Sequence, residues 1–369
     1  MGKKSGVGGR GTPVQGLTPA ARRRLDNSEK VYVGIDMHKK TLQVAAMDGN
    51  GERILETKLE NKKHAIRALF SRFPNHAEYV IESSSVWYSR FRYMVDELGM
   101  DVVLSDPNYN KLVAMSKKKT DKNDAWTLAD FLRCDYIVEC YVPGTDVVEM
   151  RRMHRHRHKV VNIRTLFKNS INGIMLQDAI EIEGAKWTKG FIQRLQMIGD
   201  YRIDNYLGII RTLDGVVGDL SAKMYARNAA SEDAMRLKSI PGVGDVTAFT
   251  MVAELGRIDR FKSSSSVVAF AGLAPSVRNS ADIVHHGHIT KKGSRHLRWV
   301  AVEAVHAHIR YAPESNISEF YRRLAKKRGS QKATIAAAAK LIRVAYWLLK
   351  EQRDYLPHHC QNPKPRDRT

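Results

Sequence analysis

The sequence predicts an α/β domain with a mixed sheet, then a long helical segment, and then a mainly α-helical domain. Two observations predict the first domain: β-branched apolar runs begin at Val31, and helical and strand-like stretches alternate after about residue 60. The lack of a convincing strand between residues 146 and 229 predicts the helical segment. A chain of 369 residues is long enough for two compact domains and a connection.

The first domain is expected over residues 30–143. Its opening run, VYVGIDMHKKTLQVAAMDGNGERILETKLE, contains the turn sequence DGNG and predicts a β-meander. In chain order, the pattern then predicts a helix that buries Ala65, Ile66, Leu69 and Phe70, a strand ending at Glu82, a helix over about 86–98 and a strand over 101–104.

Residues 144–229 are expected to form long helices between the two domains. Apolar residues recur mostly at intervals of three and four, for example at Val160, Ile163, Phe167, Ile171 and Ile174. The segment is either a coiled-coil linker or an ordinary helical subdomain, because its heptads are not strict.

Residues 230–356 are expected to form the mainly α-helical domain. Near its start, in LKSIPGVGDVTAFTMVAELG, Gly242 and Gly244 follow Pro241 in a short turn that leads into a helix. Backbone amides in such a turn can bind an anion, so the pattern predicts a helix-hairpin-helix motif that grips DNA phosphates. A simple turn between two helices is the alternative.

The charge of the chain predicts a polyanionic partner. Lys and Arg outnumber Asp and Glu by 61 to 39, which gives a formal net charge of +22 at pH 7. A compact monomer with this charge repels itself, so nucleic acid is the expected partner and a generically basic protein is the alternative. The basic residues cluster at Arg22 to Arg24, Lys117 to Lys119, Arg151 to Lys159 and Lys291 to Arg298.

Cysteine content and hydropathy indicate the compartment. The three cysteines, Cys134, Cys140 and Cys360, form no CxxC pair, so the sequence does not predict a disulfide framework. We therefore expect a cytoplasmic location. No apolar run approaches the roughly 18 residues of a membrane span, and the first residues lack the apolar core of a signal peptide. Residues 1–29, which are basic, and 357–369 are expected to be disordered tails.

Four acids form the candidate catalytic site: Asp36, Glu82, Asp121 and Asp124. Asp36 and Glu82 each end an apolar strand, where α/β sheets commonly place their sites. Asp121 and Asp124 are three residues apart at the start of a helix, so both project from one face. The four carboxylates can therefore converge.

Phosphoryl transfer gives a chemical reason for such convergence. One or two Mg²⁺ ions bound by carboxylate oxygens polarise a scissile phosphate and neutralise the charge that develops on it. Each acid also has a separate explanation: a turn former at Asp36, a surface residue at Glu82, and first-turn acids at Asp121 and Asp124. Strand-end placement in a strongly basic chain favours the metal site.

The histidines do not predict a zinc site. His154, His156 and His158 alternate at two residues, so on a helix they point to different sides. The histidines at residues 285, 286 and 288 are expected in a loop that could contact nucleic acid, with no cysteine nearby to complete a zinc site.

Six blocks of sequence resemble the insertion-sequence 110 family of DEDD transposases, which are relatives of the Piv-type DNA invertases. In order, the blocks are GIDMHKKTLQVA, VIESSSVWY, KKTDKNDAWTLADFL, LKSIPGVGDVTAFTMVAELG, FAGLAPSVRNS and GHITKKGSRHLRW. The resemblance covers about Val31 to about Arg310. It implies that the first domain is RuvC-like, of the ribonuclease-H type, and that the four acids named above are its DEDD residues.

The resemblance further implies a serine in the second domain that attacks DNA and forms a phosphoserine link. This serine corresponds to Ser280, although Ala281 stands where the family usually has glycine, and Ser276 is the fallback nucleophile. Because a serine hydroxyl is a weak nucleophile, we expect Mg²⁺ on the acids to lower the barrier to its attack. Downstream basic residues that could bind phosphate are Lys291, Lys292, Arg295 and Arg298.

The expected function is that of an insertion-sequence transposase or site-specific recombinase that cuts and rejoins DNA. The resemblance implies donor and target DNA as partners, a structured guide RNA encoded by the element, and a homo-oligomer, dimer or tetramer, in which acids of one subunit meet the serine of another. The alternatives are a RuvC-like Mg²⁺-dependent nuclease that uses water, a protein-only DNA invertase, and a binding protein whose acids have no catalytic role.

Overall fold

The chain divides into two compact units, Met1–Val142 and Pro143–Thr369. The structure, a computed structural model, describes residues 19–83, 87–107, 109–110, 121–280 and 283–356. The first unit is a mixed α/β domain and the second is mainly helical, which confirms the predicted order of the two classes. No helix in the described ranges combines the length and the apolar character that a membrane crossing requires.

A five-stranded sheet in the order β3-β2-β1-β4-β5 forms the centre of the first unit. Its strands are β1 (Val31–Met37), β2 (Thr41–Asp48), β3 (Arg53–Glu60), β4 (Ala77–Glu82) and β5 (Asp101–Ser105). The first three strands pair antiparallel, as the meander predicts, while β4 pairs parallel with both β1 and β5. Every residue of β1 is buried, because helices cover both faces of this central strand.

Among the described residues of the first unit, four helices pack on the sheet: α1 (Pro19–Asn27), α2 (Lys63–Phe70), α3 (Trp87–Arg92), which a π-helical turn at Tyr93–Glu97 continues, and α4 (Asp121–Arg133). The apolar residues of α1, α2 and α3 share one core with Val33 and Ile35 of β1. The other face of β1 carries Tyr32, which clusters with Ala125 and Trp126 of α4. The sheet is therefore a middle layer, with α4 on the face opposite the other three helices.

Residues 19–27 correct the prediction of a disordered tail over 1–29. They form α1, in which Ala21 and Leu25 are four residues apart and both buried, with Leu25 wholly inside the core. The arginines Arg22 to Arg24 stay exposed on the other side of this short amphipathic helix. Residues 1–18 and the predicted tail at 357–369 lie outside the described residues.

The second unit begins with two long helices, α5 (Thr145–Gln177) and α7 (Tyr201–Ala229), joined through α6 (Lys189–Met197). They run antiparallel, since contacts pair Glu149 with Arg227 near one end and Arg164 with Asp214 further along. The segment predicted as a linker thus lies within the same compact unit as the C-terminal helices.

The described part of the second unit contains six more helices: α8 (Glu232–Lys238), α9 (Asp245–Leu255), α10 (Ser264–Phe270), α11 (Arg295–Tyr311), α12 (Asn316–Arg328) and α13 (Ser330–Glu351), with a 3₁₀ turn at Ile258–Arg260. Small residues of α13, among them Ala337, Ala338 and Ala345, are fully buried and let the surrounding helices approach closely.

The prediction of a loop around His285, His286 and His288 is wrong. These residues lie in β7 (Ile283–Ile289), which pairs antiparallel with β6 (Pro275–Ser280) as a two-stranded ribbon. Polar residues interrupt the apolar alternation of both strands, so the sequence carries little strand signal.

Candidate active site

Asp36 and Glu82 lie level with each other at the carboxyl ends of two neighbouring parallel strands. In the pairing of β1 with β4, Gly34 is opposite Val80 and Ile35 is opposite Ile81. Side chains alternate between the faces of a sheet, so Asp36 shares the face of Gly34 and Glu82 shares the face of Val80. The register therefore directs both acids to the same face.

The helix α4 covers that face because residue 34 is glycine. A Cβ atom on Gly34 would lie 2.0 Å from the carbonyl oxygen of Ala125 and 2.5 Å from the backbone nitrogen of Ala129. Without a side chain at this position, the backbone of α4 rests directly on β1. Asp121 and Asp124, in the first turn of α4, are thereby placed near the end of β1.

Asp36 and Asp121 converge on a histidine that the sequence analysis did not include in the site. His38 Nε2 lies 3.0 Å from Asp36 Oδ2 and 3.4 Å from Asp121 Oδ1. One ligand atom from each of these three residues lies within 4.8 Å of the other two. Metal–oxygen bonds of about 2.0–2.6 Å allow one ion to bridge ligand atoms at such separations. The other two predicted ligands, Glu82 and Asp124, lie outside this close group of described residues.

Asp124 nevertheless lies close enough to act on Asp36 through its charge. Burial raises the pKa of the Asp36 carboxyl above its usual value, and the negative charges of Asp124 and Asp121 raise that pKa further. His38 opposes this effect by its charge and its hydrogen bond, but it does not cancel it. A bound cation would relieve the repulsion, so the donor set and its electrostatics fit a divalent ion.

A lysine stands at the exposed side of the same cluster. Lys58 Nζ lies 3.9 Å from Asp121 Oδ2, and both side chains are about half exposed. Lys58 belongs to β3 and was not identified from the sequence, because it is distant in the chain from all four acids. An exposed ammonium group here can attract a phosphate to the acids, although its own ion pair contributes little stability.

The candidate nucleophiles lie on the ribbon of the second unit. Ser280 ends β6 and its side chain lies outside the described part of the structure. The Ser276 hydroxyl donates a hydrogen bond of 3.0 Å to the backbone carbonyl of His288, so it holds the two strands together. This engagement makes Ser276 the weaker candidate.

The turn of the predicted helix-hairpin-helix lies between α8 and α9. Gly242 has a φ of +88°, and a Cβ atom there would lie 2.5 Å from the backbone nitrogen of His308, so the turn packs against α11. Gly244 caps α9 without such a neighbour. Asp245 follows it and forms a 2.6 Å ion pair with Lys238 across the turn.

The four basic residues predicted to contact phosphate differ in their surroundings. Lys291, Lys292 and Arg295 are exposed. Arg298 instead donates from Nη1 to the carbonyl oxygens of Ala271 and Lys291, at 3.0 and 3.3 Å. Its guanidinium group therefore stabilises the turn before α11 through these hydrogen bonds. The side chains of Lys291, Lys292 and Arg295 remain open to a ligand.

Comparisons with known proteins identify relatives of both units. Residues 234–322 match the family described as "Transposase IS116/IS110/IS902 family", and residues 33–179 match the transposase family model of the IS110 DEDD type. Together these matches span more than half of the chain and include all four acids and Ser280.

The curated relatives include transposases of insertion sequences from several bacteria. The chain is 25% identical over 349 residues to the transposase for insertion sequence element IS1111A of Coxiella burnetii, which covers 90% of this chain and 93% of that protein. It is 23% identical over 343 residues to the transposase for insertion sequence element IS1328 of Yersinia enterocolitica, covering 87% and 96% of the two chains.

Proposed function

Since the chain belongs to the IS116/IS110/IS902 family of insertion-sequence transposases, enzymes that act on DNA, we propose that it cuts DNA strands at an acidic centre on β1, β4 and α4. The acidic centre comprises Asp36, Glu82, Asp121 and Asp124. The observation that carries this proposal is the approach of Asp36 and Asp121 to a common point at the end of β1, within reach of one ion.

Mg²⁺ is the proposed ion, because carboxylate oxygens are the ligands that this hard cation prefers. When bound, it would polarise the scissile phosphate and neutralise charge on the leaving oxygen. Asp36 and Asp121 would hold it, and Asp124 and Glu82 complete the oxygen set. His38 would orient the Asp36 carboxylate through their 3.0 Å contact, and Lys58 would attract the phosphate from the exposed side.

We further propose that the first unit has a RuvC-like, ribonuclease-H-type fold. Two features support this proposal. The sheet has three antiparallel strands followed by two parallel strands. An acid ends the central strand, and a helix on the same face carries two more acids. The turn with Gly242 and Gly244 is proposed to act as a helix-hairpin-helix that binds backbone phosphates. Exposed Lys291, Lys292 and Arg295 would add phosphate contacts in the same unit.

For strand exchange we propose Ser280 as the nucleophile that forms a phosphoserine link with DNA. The serine oxygen would bond to phosphorus as the bond from phosphorus to the leaving strand breaks, and the proton lost by the hydroxyl would be balanced by protonation of the leaving oxygen. One phosphodiester bond is thereby exchanged for another, so its energy is kept for rejoining. A second candidate function is hydrolysis by water. Hydrolysis is favoured because all four acids lie in the first unit, so this reaction would need no residue of the second unit.

Two variants distinguish serine attack from hydrolysis. With Ser280→Ala, serine catalysis predicts loss of covalent protein–DNA adducts and of rejoining, whereas Ser276→Ala keeps both activities. Adducts are measured as labelled DNA that stays with denatured protein in gel electrophoresis. Normal cleavage and rejoining by the Ser280→Ala protein would favour the water mechanism.

The decisive experiment for the acidic centre compares substitutions on α4 and β1. Asp36→Asn and Asp124→Asn are expected to abolish Mg²⁺-dependent cleavage of element DNA with DNA binding largely kept. Asp130→Asn is the matched control, because Asp130 lies on the same helix and pairs with Arg133. If the Asp36 and Asp124 variants cleaved like the wild type, the acidic centre would not be catalytic.

We also propose donor and target DNA as substrates, an element-encoded guide RNA, and a homo-oligomer, a dimer or tetramer. The strongly basic composition supports a nucleic-acid partner of either kind. Sequencing of nucleic acid that co-purifies with the protein from cells carrying the whole element tests the RNA. A discrete RNA is the expected result, and purification without one would favour a protein-only invertase.

A further inference from the structure

A basic cleft with an exposed tryptophan lies in the second unit, between α5 and the start of α11. We call it the Trp299 cleft. It is an open cavity of about 880 Å³, lined mainly by Arg155, His158, Lys159, Asn162, Arg295 and Trp299. None of these residues belongs to the proposed acidic centre, and only Arg295 was singled out by the sequence as a phosphate contact.

A buried carboxylate fixes the two walls of the cleft. Glu254 of α9 is 1% exposed and accepts hydrogen bonds from Arg155 of α5, at 2.9 and 3.0 Å, and from the Ser294 hydroxyl at 3.0 Å. Ser294 also accepts from the backbone nitrogen of Leu297 and so caps α11. One carboxylate thus joins α5 to the start of α11, and the cleft is formed before any ligand arrives.

Two neutral imidazole rings lie beside the tryptophan of the cleft. The His158 ring lies 4.6 Å from the Trp299 ring and 5.2 Å from the His296 ring, measured between centroids. Burial lowers the pKa of His158, and burial lowers the pKa of His296 to about 4, so both rings are uncharged at neutral pH. Trp299 remains 39% exposed, which leaves an indole surface available for stacking.

The charge of the cleft is positive at its surface. Arg155 keeps 48% of its side chain exposed despite its bonds to Glu254, and Lys159 and Arg295 are exposed as well. No acidic side chain is among the described residues that line the cavity, and the nearby Glu254 is buried and paired. An anion that also carries an aromatic ring matches this combination.

We propose that the Trp299 cleft binds an unpaired nucleotide of a single-stranded nucleic acid, with its base stacked on Trp299 and its phosphate on Lys159 and Arg295. The inference rests on the proposed function in requiring a nucleic-acid substrate. A base inside a duplex already stacks on its neighbours and cannot lie on an indole ring, so the cleft would distinguish single strands from duplexes. DNA and RNA strands share this chemistry, and the experiment separates them.

The test measures binding of the full-length protein to fluorescent oligonucleotides by anisotropy, without divalent metal so that nothing is cut. Single-stranded DNA, single-stranded RNA of the same sequence and the DNA duplex are compared. For Trp299→Ala we expect the dissociation constant for a single strand to rise about 5- to 100-fold, and that for the duplex to change less than about twofold. Trp299→Ala should weaken the binding of either single-stranded DNA or single-stranded RNA more than the other. The more affected of the two is the natural ligand of the cleft.

Matched variants keep the test specific. Trp299→Phe should retain most single-strand affinity, and Tyr311→Ala, which removes another exposed ring of α11, should retain all of it. Lys159→Gln should weaken single-strand binding without any change to the tryptophan, whereas Lys223→Gln on α7 should not. If Trp299→Ala bound single strands like the wild type, or if it weakened duplex binding equally, the proposal would be overturned.

Cleavage by the same wild-type preparation separates this inference from the proposed function. Mg²⁺-dependent cleavage together with unchanged strand binding by Trp299→Ala would reject the cleft and keep the acidic centre. Absence of cleavage together with the expected loss of strand binding would reject the acidic centre and keep the cleft.

Discussion

His308 Nδ1 lies 2.7 Å from the carbonyl oxygen of Pro241, so a buried histidine of α11 holds the turn between α8 and α9. A carbonyl oxygen only accepts, so Nδ1 donates, and Nε2 on the other side of the ring lies 2.7 Å from the Ser315 hydroxyl oxygen. Burial lowers the pKa of His308, which keeps the ring neutral at pH 7. The proposed phosphate-binding turn is therefore positioned by a side chain 67 residues away.

Substitution of this histidine should destabilise the second unit. We expect His308→Ala to lower the free energy of unfolding by about 2–4 kcal/mol, because it leaves the Pro241 carbonyl without its donor and creates a cavity. His306→Ala, on the exposed side of the same helix, should change it by less than about 0.5 kcal/mol. Urea unfolding followed by circular dichroism measures both.

The same histidine predicts a pH dependence. Its pKa in the folded protein is below that in the unfolded chain, so its contribution to stability is complete above the unfolded value and is lost as pH falls. Between pH 7 and pH 5, the wild type should therefore lose more stability than His308→Ala. Equal losses in the two proteins would show that this ring does not stay neutral in the fold.

The contact of α4 with β1 predicts a strict requirement for glycine at position 34. Gly34→Ala should reduce the free energy of unfolding by about 1–3 kcal/mol, because its methyl group would meet the backbone of Ala125 and α4 must move. The shift would also carry Asp121 and Asp124 away from Asp36, so cleavage should fall in parallel. Gly173→Ala is the control: it lies in α5 with open space around it, and helix propensity predicts a gain of roughly 0.5–1 kcal/mol.

Metal binding should be visible as stabilisation without any measurement of cleavage. A hundredfold excess of Mg²⁺ over its dissociation constant should stabilise the wild type by about 2.7 kcal/mol in thermal unfolding. Asp36→Asn should lose this response, while Asp130→Asn keeps it. An unchanged response of Asp36→Asn to Mg²⁺ would place the ion elsewhere.

The raised pKa of Asp36 predicts a second difference between the wild type and Asp36→Asn, which is measured without metal. The folded-state pKa of Asp36 is raised, so its stabilising contribution is complete below the unfolded value and is lost as pH rises through the folded value. Without metal, Asp36→Asn should accordingly be at least as stable as the wild type at pH 7.

Protonation of Glu254 should account for much of the stability that the second unit loses at acid pH. Burial opposes its ionisation, but hydrogen bonding to His154 and the charges of Arg155 and Arg151 lower its pKa to about 2. Its contribution to stability is therefore present above its usual pKa of 4.5 and is lost as pH falls toward 2.

Replacement of Glu254 tests this assignment. Glu254→Gln should cost about 3–5 kcal/mol at pH 7, because His154 and Arg155 lose their buried charged partner. It should also flatten the stability profile between pH 5 and pH 2. Glu232→Gln, an exposed control that pairs with Arg236 on α8, should leave the profile unchanged.

Local patterns predicted most of the first unit. The uninterrupted apolar run at Val31 predicts a central strand, and the strand-end position of Asp36 places it at the rim of the sheet. The pattern failed at α1, because only Ala21 and Leu25 of a very basic segment are buried, and at β6 and β7, where polar residues such as Asn279 hide the alternation.

The interactions that the sequence did not predict depend on distant residues. His38 looks like part of a polar turn until α4 brings Asp121 within 3.4 Å of it. Glu254 looks like an ordinary acid of a helix, since its partner His154 is 100 residues earlier. A single sequence contains no signal for such pairs, because helix packing alone creates them.

The link between Glu254 and His154 also bears on how fast the second unit assembles. Closing a loop of 100 residues restricts the chain more than closing the short connection between α5 and α7 does. Long-range contacts of this kind slow folding relative to local helical hairpins. We therefore expect α5 and α7 to pair early, and α9 to dock on α5 later.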